Sequence, residues 1–199
     1  MSALPNTQRW TVEAYLDFEM TSETKHEYFD GEVYAMSGAS EKHNHIVANT
    51  IGSFFAQLRE SPCNALSSDQ RVRVSKRQYV YPDITIVCGE RQFTGEKPDT
   101  LLNPTVLIEV LSPSTEGYDK TVKSEYYRSI PSLKEYLLIS QEKCHIEHYA
   151  RQTNGKWFVA DVMQMDGTLE LSSVQCTLAA EDVYNKVKFE DKISSDATG

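Results

Sequence analysis

A chain of 199 residues and 22.6 kDa is long enough for one substantial core. With 40% hydrophobic and 25% charged residues, and no apolar run near the ~20 residues of a membrane span, it reads as a soluble protein. The formal charge of −9 argues against indiscriminate coating of nucleic acid, although it leaves room for a local basic face.

The N-terminus, Met1 to Asn6, has neither the basic start nor the apolar core of a signal peptide, so the cytoplasm is the expected compartment. One domain over residues 1–189 is expected, with Glu190 to Gly199 as a frayed tail. Cys63, Cys88, Cys144 and Cys176 form none of the CxxC pairs of zinc sites and are expected to be buried free thiols.

Thr11 is a plausible cap for a first helix, with Trp10 before it placed to staple onto Tyr15. Lys25 to Met36 reads as a hairpin around the type I′ dipeptide Asp30-Gly31. Its apolar stretches, Glu27-Tyr-Phe29 and Val33-Tyr-Ala-Met36, look exposed enough to serve a contact between two copies, or else pack under the first helix. Glu32 follows the turn and reads first as a solvated acid.

Ser40 caps a long helix whose Val47, Ile51, Phe54, Phe55 and Leu58 form a core stripe. His43 and His45 could be ligands, but they are two apart on this helix and point to different sides, so structural or surface roles are favoured for both. Cys63 to Val74 is a strand or pair of strands. Arg71, Arg73, Lys76 and Arg77 make a basic stripe there, either a solvated sheet edge or a phosphate-contacting one.

Tyr79 to Val87 reads as a buried strand with Asp83 in its middle, and Thr105 to Leu111 as another that contains Glu109. A polar loop, Glu90 to Pro98, lies between them. A buried carboxylate must find a cation, a proton or a metal, so two on neighbouring strands suggest one shared ion. Thr115 to Ile130 is the next helix, on which Asp119, Lys123 and Tyr127 share a face, and Glu135 to Ser140 is a strand expected to run parallel to the Glu109 strand. Further strands at Cys144–Tyr149 and Lys156–Met163 and a last helix over Leu178–Val187 complete an α/β (α+β) fold, a mixed sheet flanked by helices.

Tyr81-Pro82-Asp83-Ile84, Val110-Leu-Ser-Pro-Ser-Thr115, Asp119…Lys123…Tyr127-Arg128 and Ser132-Leu-Lys-Glu-Tyr-Leu-Leu138 resemble the Uma-type family of bacterial restriction-endonuclease-like proteins, within the PD-(D/E)XK nuclease superfamily. The resemblance runs from about Thr11 to Val187. It implies a restriction-endonuclease-like fold and a metal-dependent endonuclease, in which Asp83, Glu109 and the main-chain carbonyl of Val110 hold Mg²⁺ or Mn²⁺. It also makes Glu32 a candidate for an N-terminal acid of the site.

The superfamily lysine two residues after the Glu is Leu111 here, so Lys123, with Tyr127 beside it, would take over that role. Nucleic acid, DNA above all, is the implied partner, with Arg71, Arg73, Lys76, Arg77 and Tyr127 as candidate contacts. A homodimer would present two sites to the two strands of a duplex. Two alternatives stay open: a nuclease-fold protein that binds without cutting, and an unrelated acid-site enzyme such as a metal-dependent phosphatase.

Overall fold

The computed structural model describes residues 9–94, 100–113 and 116–189. Helix α1 (Val12–Thr21) starts where Thr11 Oγ1 accepts from Ala14 N–H, and Trp10 meets the Phe18 ring and packs against the cluster that holds Tyr15. Strands β1 (His26–Phe29) and β2 (Glu32–Ala35) form the expected hairpin, its turn residues Asp30 and Gly31 both at positive φ, as a type I′ turn requires. Helix α2 (Glu41–Leu58) is capped by Ser40.

Two sheets follow. In the five-stranded one the order is β2-β1-β5-β4-β7, with β4 (Arg71–Ser75), β5 (Gln78–Val80) and β7 (Thr100–Leu101). The six-stranded one runs β11-β10-β9-β8-β6-β3, with β3 (Cys63–Ser67), β6 (Ile84–Cys88), β8 (Val106–Leu111), β9 (Glu135–Ser140), β10 (Ile146–Arg151) and β11 (Trp157–Val162). Strands β8 and β9 are parallel, as a crossover through a helix demands. That crossover is a short α3 (Glu116–Tyr118), a π-helical turn over Asp119–Lys123 and α4 (Ser124–Ser129). A small hairpin of β12 (Thr168–Leu171) and β13 (Cys176–Ala179) precedes α5 (Ala180–Val183).

The six-stranded sheet is covered on both faces. On one, Ile46, Phe54 and Leu58 of α2 meet Ile84, Ile86, Val106, Ile108, Leu137 and Ile139. On the other, Val87, Leu107, Leu111 and Leu138 meet Tyr127, Ile130 and residues of the five-stranded sheet such as Val72 and Val80. Alternation along β8 therefore sends Ile108 and Val110 to one layer and Leu107, Glu109 and Leu111 to the other.

Several expectations change. The run Tyr79–Val87 is two strands in two sheets. Pro82 has no N–H to continue a ladder, and the chain crosses between sheets from Val80 to Ile84, leaving Asp83 just outside β6. The core stripe of α2 is rotated: Phe55 is 72% exposed, whereas Ile46 and Thr50 are buried, because the face toward the sheet is centred one position earlier.

Cys63 and Cys88 face each other across β3 and β6 and are joined in a disulfide, so only Cys144 and Cys176 are free. Leu178–Val187 is mostly not helix, since Leu178 continues β13 and α5 has four residues. Much of the β1–β2 hairpin is buried: Tyr28 and Val33 pack with Tyr15 and Tyr79 under α1, the second of the two fates its sequence allowed, whereas Tyr34 to Met36 stay half-buried at the edge of the sheet. Ser114 and Thr115 of the sequence motif, part of the Glu90–Pro98 loop and the tail from Glu190 lie outside the described residues.

Candidate active site

The antiparallel register of β6 and β8 pairs Ile84 with Ile108, so the next step along both strands sets Asp83 opposite Glu109. Beyond that last ladder pair the Val110 N–H donates to Asp83 Oδ2 (2.8 Å), so the carboxylate takes a main-chain bond that the interrupted strand cannot supply. The two acids meet because β6 begins where β8 nears its end.

Glu109 is buried, and its Oε1 accepts from the Tyr127 hydroxyl (2.6 Å) and from the Lys123 ammonium (2.9 Å). Lys123 also lies 3.1 Å from Glu27 Oε1 and 3.9 Å from Asp119 Oδ1. The π-helical turn that ends at Lys123 widens the helix where Asp119 and Lys123 both turn inward, a distortion common at functional sites.

Glu27 comes from β1 and is held by the neighbouring chain. Tyr81 N–H donates to Glu27 Oε1 (3.3 Å), while the Tyr81 hydroxyl donates to Glu19 Oε1 (2.9 Å), which also accepts from His26 N–H. From the opposite layer, His43 in the first turn of α2 brings Nε2 to 3.1 Å from Asp83 Oδ2.

Burial pushes the Glu109 carboxyl up to about 8; Lys123 opposes this, and Asp83, Asp119 and Glu27 add to it. Burial pulls the Lys123 ammonium down, but Glu109, Glu27, Tyr127 and Asp119 outweigh it and hold the group charged well above the ordinary lysine range. Tyr127 is raised well above its usual value by burial and by Glu109, which keeps it a neutral donor.

The residues singled out in the sequence divide. Asp83, Glu109, Lys123 and Tyr127 come together; Tyr127 is fully buried against Glu109 and Tyr136, so it is no surface contact for nucleic acid. Glu32 is exposed and bonded to the Tyr34 hydroxyl, and the N-terminal acid that enters the cluster is Glu27. Arg71 is buried in a central strand, with Nε on Thr100 Oγ1 (2.8 Å) and the guanidinium against the Tyr15 and Tyr79 rings, so it cannot meet a phosphate. Arg73 is half-buried, and Lys76 and Arg77 are exposed in the β4–β5 turn, Arg77 paired with Asp30.

Glu27 was open to the argument already made for Asp83 and Glu109, an acid inside a buried strand. His43 could be named from the sequence as a possible ligand but not as a neighbour of Asp83, because only packing of α2 against the sheet end brings the two together.

Among the described residues no three His, Cys, Asp or Glu side chains are disposed to hold a metal ion together. The donor chemistry still suits a hard cation: Asp83 and Glu109 supply carboxylate oxygens beside the Val110 main chain. Carboxylates outnumber cations in the cluster, and Glu27 Oε2 is buried without a hydrogen bond.

A mixed sheet between helices, with an acid pair and a lysine at the point where two strands part, defines a restriction-endonuclease-like protein. The profile of the Uma2 family, described as "Putative restriction endonuclease", matches residues 12–181, and the chain belongs to that family. Two uncharacterized Synechocystis proteins are similar. The first, slr1290, is 34% identical over 178 residues, which is 89% of this chain and 92% of its own. The second, sll1609, is 32% identical over 173 residues, 86% of this chain and 98% of its own. The fold is shared with a crystal structure of "a putative nuclease belonging to DUF820" from Anabaena variabilis, at a TM-score of 0.72 and 16% identity, over 88% of this chain and 97% of that one. No helix among the described residues is long and apolar enough to cross a membrane.

Proposed function

We propose that the protein is a metal-dependent endonuclease that hydrolyses phosphodiester bonds of nucleic acid, DNA first, in the cytoplasm. The observation that carries this reading is the convergence of Asp83, just before β6, Glu109 of β8 and Lys123 of the helical crossover. Asp83, Glu109 and the Val110 carbonyl would hold Mg²⁺ or Mn²⁺, and such an ion, when bound, neutralises phosphate charge and makes its water more acidic.

The chain's own groups do the rest. Val110 N–H fixes Asp83, and the Tyr127 hydroxyl fixes Glu109. The Lys123 ammonium, paired with Glu109, would orient a water and stabilise negative charge on phosphate oxygens, in place of the lysine that Leu111 replaces. Arg73, Lys76 and Arg77 are the proposed phosphate contacts. Cutting both strands of a duplex with one such site per chain calls for two copies, and the homodimer rests on that stoichiometry rather than on the largely buried β1–β2 hairpin.

One observation favours a second reading, a protein that binds nucleic acid without cutting: Lys123 is already held by three carboxylates. Supercoiled plasmid, single-stranded DNA and RNA incubated with Mg²⁺ or Mn²⁺ separate the two. Cleavage is expected, with Asp83→Asn and Glu109→Gln lowering it at least ~10²-fold. Tight binding by the wild type with no cleavage under any of these conditions would select the second reading.

A further inference from the structure

We propose that His43 is a protein ligand of the cation of this site, so that the donor set is mixed nitrogen and oxygen and favours a transition-metal ion over Mg²⁺. The inference rests on the cation reading above and departs from the donor set expected there, two carboxylates and a carbonyl. The donor atom set beside Asp83 Oδ2 is the His43 imidazole, whereas Glu109 Oε1 is taken by both Lys123 and Tyr127.

The spacing is the relevant one. Two donors about 2.1 Å from a shared cation and at right angles to each other lie about 3.0 Å apart. Nε2 of His43 and Oδ2 of Asp83 are 3.1 Å apart. Oδ2 also accepts from Val110 N–H, which fixes the carboxylate without using its other oxygen.

The imidazole is placed by a built anchor rather than by a mobile surface helix. Ser40 Oγ accepts from His43 N–H (3.1 Å) and donates to Oε1 of the buried Gln141 (2.5 Å), just past the end of β9. This ties the first turn of α2 to the sheet end that carries Glu109 and Val110. The His43 side chain is only 14% exposed, so its Nε2 is held toward Asp83 rather than solvent. His45 differs: it is 45% exposed and 3.7 Å from Glu41. Imidazole donors suit first-row transition ions, whereas Mg²⁺ prefers oxygen.

Mn²⁺ added to the full chain tests this by electron paramagnetic resonance. Loss of the free-ion signal measures binding, and pulsed spectra of the bound ion show whether a ¹⁴N nucleus is directly coordinated. A coordinated imidazole nitrogen is expected in the wild type. His43→Asn should abolish that coupling and weaken Mn²⁺ binding at least ~10-fold while changing Mg²⁺ competition little. Bound Mn²⁺ without nitrogen coupling in the wild type overturns the proposal whether or not the variant folds, as does coupling that persists in His43→Asn. If the wild type binds no Mn²⁺, the cation reading itself fails, and this inference falls with it.

Discussion

Lys123 is the residue on which the cluster balances. Removing one partner of a buried ion pair leaves uncompensated charge and costs ~3–5 kcal/mol. Lys123→Met removes the cation that Glu27, Glu109 and Asp119 share, so it should lower the melting temperature of metal-free protein, with Mn²⁺ recovering part of the loss through binding to the folded state. Calorimetry with and without the ion checks both. Glu109 makes the pH dependence.

Its carboxyl stands at about 8 when folded, against the ordinary 4.5, so between those values the folded state carries the extra proton. Stability is then fully present below the lower value and is lost as pH rises through about 8, by up to ~1.4 kcal/mol per unit. Thermal unfolding of metal-free protein between pH 5 and 9 should show this fall, and Glu109→Gln should flatten it.

At the scale of elements, the orientation of α2 and the β3–β6 disulfide are the features with measurable consequences. Phe54 is fully buried and Phe55 is 72% exposed, although both belong to one apolar run. Phe54→Ala should cost ~3–5 kcal/mol in chemical denaturation, and Phe55→Ala within ~0.5 kcal/mol. A swap of these two sensitivities would mean that the helix presents its other edge.

The disulfide between Cys63 and Cys88 spans 25 residues, so the loop it closes contributes ~3 kcal/mol. Unfolded, unreduced protein should therefore expose two titratable thiols, from Cys144 and Cys176, and reduced protein four. Reduction should also lower the denaturation midpoint.

For the whole molecule, the two sheets place α1 and its hairpin on one side of the site and α2 on the other. The acids are thus reached from both layers while most of their surface is buried. If duplex DNA is cut on both strands, light scattering at micromolar concentration should give twice the 22.6 kDa chain mass. The single-chain mass, with a plasmid that is nicked but not linearised, would show that each chain acts alone.

By itself the sequence determined what is local: the Asp30-Gly31 turn, the caps at Thr11 and Ser40, the parallel β8–β9 crossover and the oddity of Asp83 and Glu109 in apolar runs. Each of these depends on near neighbours, on alternation along one strand or, for the crossover, on a helix lying between two strands. Even the lysine was legible, since Asp119, Lys123 and Tyr127 recur at helical spacing. Which sheet each strand joins was decided by tertiary structure, and with it the break at Pro82 and the burial of Arg71, which local composition had made an edge residue.

Tertiary structure also chose Glu27 over Glu32, because strand position and the reach of Tyr81 select the acid that faces Lys123. It alone made His43 a neighbour of Asp83. Their contact spans 40 residues and two layers, and no periodicity in the sequence encodes how a helix end docks on the end of a sheet.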